Sequence, residues 1–581
     1  MRSESQDSRL SPELELVLLC LRSHRDTAGE SRLRALLAGP LDWDELTATV
    51  VPHQVLPSFY RRIQSVAPDC LPARLRSYFE CRTRGFAKKN MLFFAEMLRL
   101  MAAFEAEGIL LIPYKGIVQG WMAYQDLGVR ACSDLDFAVR QRDIPRAAEL
   151  LKARGYESWL QPKELRLSEE EQYPGQYAFH RADLELLVEL HTERTLRYFP
   201  VSLDFDALER RLQTIEIGGR AVRTFSREDT LVLLCVHGAK HFWARLNWIS
   251  DIARLGGDAQ GFDWASLEAT AADMKCTRSV LLGLFIAHEM LGARIPEMVL
   301  SRARRDRNVI LLASQVREEF VQKEESPRGI FQRALFRIRT RDRFGDGLRH
   351  VWRLSTRPTE RDWGYLAGAT GRSSLSSALR RPWRLLRQYG WRLTPEPRRD
   401  LAIFEPTTVA DVDRLIEFAG LGPDDVLYDL GCGDGRVVIR AAERRGSRGV
   451  GIDVDPRRIA ESRANARSSG VEDRVRFVLQ DAKEADLSDA TVVFLFLGVA
   501  GNLRLLPSLQ KQLRPGTRII SRIYSIPGWD AEAREEPPAG DLSRKLLYRW
   551  RVGSSPGNRA LPVPEAAAHM DRIAETKRRS A

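Results

Sequence analysis

Three glycines between an apolar run and a helical pattern constrain this chain more than any other feature. The segment reads Tyr-Asp-Leu-Gly-Cys-Gly-Asp-Gly-Arg and covers residues 428–436. The preceding run 425–428 predicts a short strand, and residues 437–442 predict a helix. Because glycine has no side chain, the backbone at such a corner can turn sharply and approach a ligand closely. The pattern therefore predicts a parallel sheet with a ligand site at its carboxyl edge.

Acidic residues accompany three successive predicted strands in this part of the chain. Asp429 stands just before the first glycine, Asp453 ends the run 449–452, and Asp481 ends the run 475–480. A carboxylate at the second position can bind both hydroxyls of a ribose, and one at the third suits an exocyclic amine. The glycine spacing also departs from the G-x-G-x-x-G of dinucleotide sites. The pattern thus favours a nucleoside ligand over a glycine turn in some other α/β protein.

These residues resemble the class I S-adenosylmethionine-dependent methyltransferases, over residues from about 404 to 550. The resemblance implies a Rossmann-like seven-stranded sheet and S-adenosylmethionine as cofactor. In that family the glycine-rich loop holds the methionine end, the second acid the ribose and the third the adenine. The implied cofactor-binding residues are Asp429, Gly431, Cys432, Gly433, Gly435, Asp453, Asp481 and Ala482. The lead-in Phe-Glu-Pro-Thr-Thr at 404–408 is similar to a subgroup that contains protein-lysine methyltransferases.

Length and composition limit the class of protein. A chain of 581 residues is too long for one ordinary core, so we expect two or three domains. The net charge of +12 permits contact with nucleic acid, anionic membranes or phosphates. Seven cysteines without a C-x-x-C pair indicate neither a disulfide framework nor a zinc site, which fits a reducing compartment. The longest apolar run, 490–500, is too short to span a bilayer, and residues 1–9 are unlike a signal peptide. We therefore expect a cytoplasmic protein without a transmembrane segment.

A second pair of acids lies on a predicted strand in the N-terminal half, residues 133–139. Side chains alternate along a strand, so Asp134 and Asp136 point to the same face. Two carboxylates this close repel each other unless a cation lies between them. Their hard oxygen ligands favour Mg²⁺ or Mn²⁺ that bridges to the phosphates of a nucleotide.

A further predicted strand, residues 183–191, alternates between apolar and polar side chains. Its polar face carries Glu189, which is our candidate for a third acid, and the strand ends in Leu190-His191. Together with Lys115-Gly116, which follow another predicted strand at 109–114, this pattern resembles the uncharacterised nucleotidyltransferases of the DNA polymerase beta superfamily. The resemblance covers roughly residues 10–390.

This second resemblance implies an α+β nucleotidyltransferase-like domain with helical additions. It assigns metal binding and catalysis to Asp134, Asp136 and Glu189, and it places Lys115 and Gly116 near the phosphates. The implied cofactors are Mg²⁺ and a nucleoside triphosphate. One departure concerns the phosphate-binding loop, since Lys115-Gly116 ends eighteen residues before Asp134. The superfamily usually has Gly-Ser closer to the acids.

Two other features are open to more than one interpretation. The predicted helix 229–255 carries His237 and His241 one turn apart. This pair fits a zinc-binding face, a lining of the nucleotide pocket together with Lys240, or ordinary helix packing. Residues 300–395 are rich in arginine with interleaved aromatic residues, which suits RNA or a membrane surface. Solvent-facing arginines on amphipathic helices explain the same pattern, and we favour that explanation.

The sequence as a whole predicts a bifunctional α/β multidomain transferase. The expected parts are a nucleotidyltransferase-like domain at 1–393, a methyltransferase domain at 394–555 and a mobile tail at 556–581. An alternative keeps the methyltransferase and makes the N-terminal domain an inactive module that binds the substrate.

For the methyl acceptor we expect a lysine of a protein partner, with nucleic acid as the second choice. The predicted strand 491–497 lacks the [Asp/Asn]-Pro-Pro-aromatic signature of adenine methyltransferases. An acidic rim of Glu405, Asp411 and Asp434 is expected to attract a basic substrate locally, because salt screens the net positive charge beyond about 8 Å.

Overall fold

The computed structural model describes residues 10–24, 26–158, 175–181, 184, 186–192, 204–257, 261–321, 330–356, 407, 409–522, 526, 529, 531–535 and 547–553. The chain divides into two compact units, Met1–Pro395 and Glu396–Ala581. The predicted boundary at residues 393 and 394 and the predicted tail at 556–581 lie outside the described residues and stay predictions.

The first unit combines helices with two small sheets. Its helices are Pro12–Leu21, Thr27–Ala38, Trp43–Val50, Leu56–Val66, Ala73–Ala106, Ile117–Tyr124, Ile144–Ala153, Phe205–Arg210, Arg227–Lys240, Leu246–Gly257, Trp264–Asp273, Thr277–Leu291, Glu297–Arg305, Arg307–Val321, Ile330–Arg339 and Phe344–Thr356. Its strands are β1 (Ile112–Pro113), β2 (Asp134–Ala138), β3 (Glu157–Ser158), β4 (Gln176–Arg181), β5 (Leu186–His191), β6 (Gln213–Ile217) and β7 (Arg220–Thr224).

The larger sheet of this unit has the order β1-β2-β5-β4-β3, and β6 pairs with β7 alone. Only β2 and β5 run parallel within this sheet; its other pairs are antiparallel. Leu135 and Phe137 point from β2 into a buried cluster that includes Phe93 and Phe104 of the helix Ala73–Ala106. The alternation predicted for β2 is confirmed, because its apolar side chains enter the core and its two aspartates lie on the opposite face.

One predicted helix is wrong in its extent. The pattern at 229–255 forms two helices, Arg227–Lys240 and Leu246–Gly257, because the chain turns back after Lys240. The backbone N–H of Trp243 donates to the carbonyl of Gly238 at 2.9 Å, and the indole is fully buried. A Cβ at Gly238 would lie 2.5 Å from that ring. The break is therefore stabilised by a local contact between an aromatic ring and a helical glycine five residues earlier.

The second unit contains one seven-stranded sheet with helices between its strands. The helices are Val409–Ala419, Arg436–Arg445, Pro456–Ser468 and Gly498–Gln512. The strands are β8 (Val426–Leu430), β9 (Arg448–Asp453), β10 (Val475–Leu479), β11 (Val492–Leu495), β12 (Arg518–Arg522), β13 (Ala533–Glu535) and β14 (Leu547–Arg551).

The strand order in this sheet is β10-β9-β8-β11-β12-β14-β13. The first five strands run parallel, and β14 joins antiparallel to β12 and β13. Order reverses at β8, whose neighbours are β9 and β11, and such a switch point opens a crevice at the carboxyl edge. The predicted Rossmann-like seven-stranded sheet is confirmed.

Among the residues with described positions, no helix has both the length and the apolar character needed to cross a membrane.

Candidate functional site

The glycine-rich loop follows β8 directly and is tied to the neighbouring strand. The backbone N–H groups of Gly431 and Cys432 both donate to the carbonyl of Ile452, at 2.8 and 3.0 Å. Gly435 has a φ of +81°, and a Cβ there would lie 2.7 Å from the ring of Phe477. A side chain at this position meets both backbone strain and a steric clash. The loop therefore requires glycine and brings bare backbone to the carboxyl edge of the sheet.

Asp453 stands at the end of β9 and holds the loop in place. Its Oδ2 accepts a hydrogen bond from the N–H of Gly433 at 2.9 Å, and its Oδ1 accepts one from the N–H of Asp455 at 2.9 Å. Each carboxylate oxygen has further lone-pair capacity, so the group can also accept from ligand hydroxyls. Asp481 follows β10 and accepts from the N–H of Lys483 at 3.0 Å. The predicted acids thus lie at one edge of the sheet; their ligand roles remain predictions.

Asp429 is the most perturbed acid of this region. It is buried, and burial together with the nearby carboxylates of Asp453 and Asp434 raises the pKa of Asp429 to about 8. A cation beside this carboxyl group would reverse the shift. S-adenosylmethionine carries positive charge on its sulfonium and amino groups and hydroxyls on its ribose. A buried carboxylate, a second acid on a neighbouring strand and an open glycine backbone fit that molecule.

The predicted acidic rim is wrong for its two described members. Asp411 is buried and accepts hydrogen bonds from Arg522 at 2.9 Å and from Arg414 at 3.0 Å. Asp434 pairs with the guanidinium of Arg436, whose Nε lies 2.9 Å from Oδ1. Each charge is therefore neutralised by arginine instead of being available to a basic substrate. The third predicted member, Glu405, lies outside the described residues.

Arg522 is a residue that sequence reasoning missed. It lies at the end of β12, is almost fully buried, and places its guanidinium carbon 4.6 Å from the ring centre of Phe496. Phe496 follows β11, which neighbours β8. The pattern of β12 offered no signal for this pairing, because an arginine at a strand end usually reaches solvent.

In the first unit, the parallel register of β2 and β5 brings the predicted acids together. Asp136 is the cross-strand partner of Glu189, and Asp134 is the partner of Leu187. The Oδ1 atom of Asp136 lies 2.9 Å from Nζ of Lys115 and 2.7 Å from Nε2 of His191. Burial opposes ionisation of Asp136, but these two partners outweigh it and hold its pKa well below the usual range.

Metal-ligand geometry occurs around Asp136, with one change from the prediction. Asp136, Glu189 and His191 each offer a ligand atom, and these atoms lie within 4.8 Å of one another. Asp134 is not a member of this group. Burial and the neighbouring acids raise the pKa of Asp134 to about 6. In the sequence, His191 belongs to the pattern that carries the nucleotidyltransferase resemblance, but it is not predicted to be a metal ligand. Its position within reach of Asp136 and Glu189 is a structural finding.

Gly116 begins the helix Ile117–Tyr124 with a φ of +55°, and a Cβ there would lie 3.1 Å from the carbonyl oxygen of Asp134. Glycine therefore lets the start of this helix approach β2 closely. Lys115 contacts Asp136 from the same turn, and burial opposes its charge while Asp136 raises its pKa above the usual range.

A cavity of about 480 Å³ connects these groups. The predicted site residues Lys115, Gly116, Asp134, Asp136 and Glu189 all line it. Cationic side chains of Arg130, Lys240 and Arg245 line it as well, as do the aromatic rings of Tyr114, Phe225 and Trp248. This volume lies in the range of small-molecule sites. Acids, cations and aromatic rings around one cavity suit a metal-bound phosphate ester with an attached ring system.

The histidine pair also lines this cavity. The rings of His237 and His241 lie 4.6 Å apart, and both pack against the indole of Trp248. Burial and nearby cations, Lys115 and Lys240 among them, lower the pKa of both imidazoles, so they stay neutral near pH 7. No metal-ligand group within the described ranges contains either histidine. The arrangement fits the pocket-lining interpretation and gives no support to zinc.

Comparisons with known proteins agree with both resemblances. Residues 39–292 match a family of uncharacterised nucleotidyltransferases, and residues 429–533 match the ANTKMT methyltransferase domain. A protein-lysine N-methyltransferase of Saccharolobus islandicus is 42% identical over 151 residues, which are 26% of this chain and 93% of the relative. A lysine N-methyltransferase of Homo sapiens, whose name gives a component of ATP synthase as its substrate, is 28% identical over 137 residues. Those residues are 24% of this chain and 58% of the human protein.

A solved structure described as an RNA methyltransferase from Salinibacter ruber, in complex with S-adenosyl-L-homocysteine, is 42% identical. The match covers 28% of this chain and 97% of that one, with a TM-score of 0.25. The relative from Saccharolobus islandicus is matched over 93% of its length at 42% identity. Through this C-terminal part the chain belongs to the family of S-adenosylmethionine-dependent methyltransferases that includes the protein-lysine N-methyltransferase of Saccharolobus islandicus.

Proposed function

We propose that the C-terminal domain transfers a methyl group from S-adenosylmethionine to lysine side chains of a protein acceptor. The observation that carries this proposal is the 42% identity to a relative named as a protein-lysine N-methyltransferase, of which 93% is covered. The more distant human relative is also named as a lysine methyltransferase. The described site supports the proposal, because the buried carboxyl group of Asp429, whose ionised form a cation would stabilise, lies next to an open glycine loop.

The proposed roles of the residues follow from their positions. The backbone from Gly431 to Gly435 and the carboxyl group of Asp429 hold the methionine part. Asp453 accepts from the ribose hydroxyls while it fixes the loop, and Asp481 with Ala482 borders the adenine. When bound, S-adenosylmethionine supplies a methyl group already activated by the sulfonium. The protein's main contribution is then to align the acceptor with that carbon and exclude water.

Labelling a cell extract tests the nature of the acceptor. The full chain is incubated with methyl-labelled S-adenosylmethionine and extract, and the products are treated separately with protease and with nuclease. We expect protease to release the label and methyl-lysine to appear on acid hydrolysis. Release by nuclease alone would exclude protein lysine and favour nucleic acid. Asp453→Ala should reduce labelling at limiting cofactor, whereas Asp473→Ala, which replaces an exposed acid before β10, should not.

For the N-terminal domain we propose binding of a metal-nucleoside triphosphate and transfer of its nucleotidyl group. Support comes from the cavity of about 480 Å³, where Asp134, Asp136 and Glu189 lie with Lys115 and other cations. The alternative is an inactive module that binds the substrate of the methyltransferase and transfers no nucleotidyl group. Incorporation of label from α-phosphate-labelled nucleotides into extract distinguishes these two alternatives, and thermal stabilisation by nucleotide with Mg²⁺ tests binding itself. Absence of nucleotide-dependent stabilisation would refute nucleotidyl transfer and favour the inactive module.

A further inference from the structure

The polar face of the β2–β5 pair carries an imidazole as well as carboxylates. Asp136 and Glu189 are direct cross-strand partners, and His191 lies two residues beyond Glu189 on the same face. Nε2 of His191 is 2.7 Å from Asp136 and 3.3 Å from Oε2 of Glu189. His191 is 5% exposed and Asp136 is 7% exposed. Three potential ligands of two chemical types therefore converge at the bottom of the cavity.

We propose that Asp136, Glu189 and His191 form a binding site for a divalent transition metal such as Mn²⁺. Two carboxylates alone suit Mg²⁺, which prefers oxygen ligands. An imidazole nitrogen shifts the preference toward first-row transition metals, which bind nitrogen more strongly. This site deepens the proposed nucleotide-binding function, and it replaces Asp134 with His191 as the third protein ligand.

Neighbouring side chains orient the three residues. Nε2 of Gln176 donates to Oε2 of Glu189 at 2.7 Å, and the ring of Tyr114 packs edge-on against His191 at 5.6 Å. Asp136, Glu189 and His191 offer one set of converging ligand atoms, all within 4.8 Å of one another, so we expect a single metal in the absence of nucleotide.

The second ring nitrogen of His191 determines how tightly the metal is held. Nδ1 is buried and has no hydrogen-bond partner within the described part of the chain. When Nε2 binds a metal, the remaining proton resides on Nδ1, and metal-ligating histidines normally donate that proton to a partner. An unmet N–H weakens the site. We therefore expect an exchangeable metal that a chelator removes, not a permanently bound ion.

Electron paramagnetic resonance of Mn²⁺ titrated into the full chain tests the site. We expect one bound Mn²⁺ whose electron-spin-echo modulation contains a coupling to an imidazole ¹⁴N. Protein made with ¹⁵N-labelled histidine should replace that coupling by the ¹⁵N signature, and this measurement needs no variant. In His191→Gln the coupling should disappear and the Mn²⁺ affinity should fall at least about tenfold.

His237→Gln is the matched control, because it removes a half-buried imidazole of the same cavity that lies outside the proposed ligand set. It should keep the nitrogen coupling. Loss of the coupling in His237→Gln with retention in His191→Gln would place the metal at the histidine pair and overturn the proposal. Bound Mn²⁺ without nitrogen coupling in the wild type, or no bound Mn²⁺, would overturn it as well. Because the probe is Mn²⁺ alone, these outcomes are independent of whether nucleotides stabilise the chain.

Discussion

We expect the methyltransferase domain to release a proton when it binds its cofactor, and we expect Asp429→Asn to abolish that release. The substitution keeps the shape of the side chain and removes its ability to ionise. In the ligand-free domain, burial and the carboxylates of Asp453 and Asp434 raise the pKa of Asp429 to about 8. At pH 7 about nine-tenths of the molecules therefore carry a proton on Asp429. The positive charge of S-adenosylmethionine favours the carboxylate and displaces this proton.

The size of the effect follows from the pKa. Lowering it by two units on binding corresponds to about 2.7 kcal/mol of interaction between the ligand and the ionised form. Binding at pH 7 should then release about 0.8 proton, and the association constant should rise about fivefold from pH 6 to pH 7. The rise should level off above pH 8. Asp429→Asn should bind more weakly at pH 8 and show a much flatter pH dependence.

Stability of the ligand-free domain should show the matching trend. The pKa of Asp429 is higher in the folded than in the unfolded chain, so the folded state binds more protons between about pH 4 and pH 8. The free energy of unfolding therefore falls as the pH rises through this window. The Asn variant lacks this contribution, so the difference between wild type and variant should widen in the variant's favour toward pH 8.

Isothermal titration calorimetry in two buffers with different ionisation heats measures the released protons directly. Titrations at pH 6, 7 and 9 compare the wild type, Asp429→Asn and, as a control, the exposed-acid variant Asp473→Ala. The control should release as many protons as the wild type. The reasoning fails if the wild type releases no proton at pH 7, or if Asp429→Asn releases the same number.

Three other variants test separate parts of the two sites. Asp453→Ala leaves the N–H of the loop and the ribose hydroxyls unpaired. The binding free energy of S-adenosylhomocysteine should therefore weaken by about 1–3 kcal/mol, or roughly 5- to 150-fold in affinity. An unchanged affinity in calorimetry would contradict the proposed role of Asp453. The double change Asp134→Asn and Asp136→Asn should abolish Mg²⁺-dependent thermal stabilisation by nucleoside triphosphates; equal shifts in wild type and variant would exclude the site. Gly435→Ala should destabilise the second unit by about 1–3 kcal/mol in denaturant melts, because the new Cβ would lie 2.7 Å from Phe477 at a φ of +81°. An unchanged midpoint would show that the loop tolerates a side chain.

The features predicted well from the sequence depend on short-range patterns. The glycine corner and the acid before it lie within a few residues, so their geometry follows from local backbone rules. The positions of Asp453 and Asp481 also follow from such rules, because the carboxyl ends of successive parallel strands share one edge. The common face of Asp134 and Asp136 required only the alternation of a strand. None of these inferences requires the identity of a particular partner residue on another strand.

The features missed from the sequence depend on contacts between distant segments. His191 reaches Asp136 only through the parallel register of β2 and β5, which joins residues more than fifty positions apart. Asp411 was predicted to be an exposed acid, whereas the buried Arg522 of a strand 111 residues away neutralises it. No local pattern specifies which arginine of so many will be the partner. Periodicity thus identifies the chemical groups, and the tertiary fold decides which of them are free.

The net charge of +12 is a poor guide to either candidate site. In the first unit the carboxylates outnumber the nearest lysine, so the floor of the cavity is locally negative despite its cationic walls. In the second unit, burial and the nearby carboxylates of Asp453 and Asp434 raise the pKa of Asp429. Charges on the surface act over about 8 Å at physiological salt, so they do not cancel these buried acids. The buried acids thus support the two proposals, a divalent metal in the first site and a sulfonium in the second, within a chain that is basic overall.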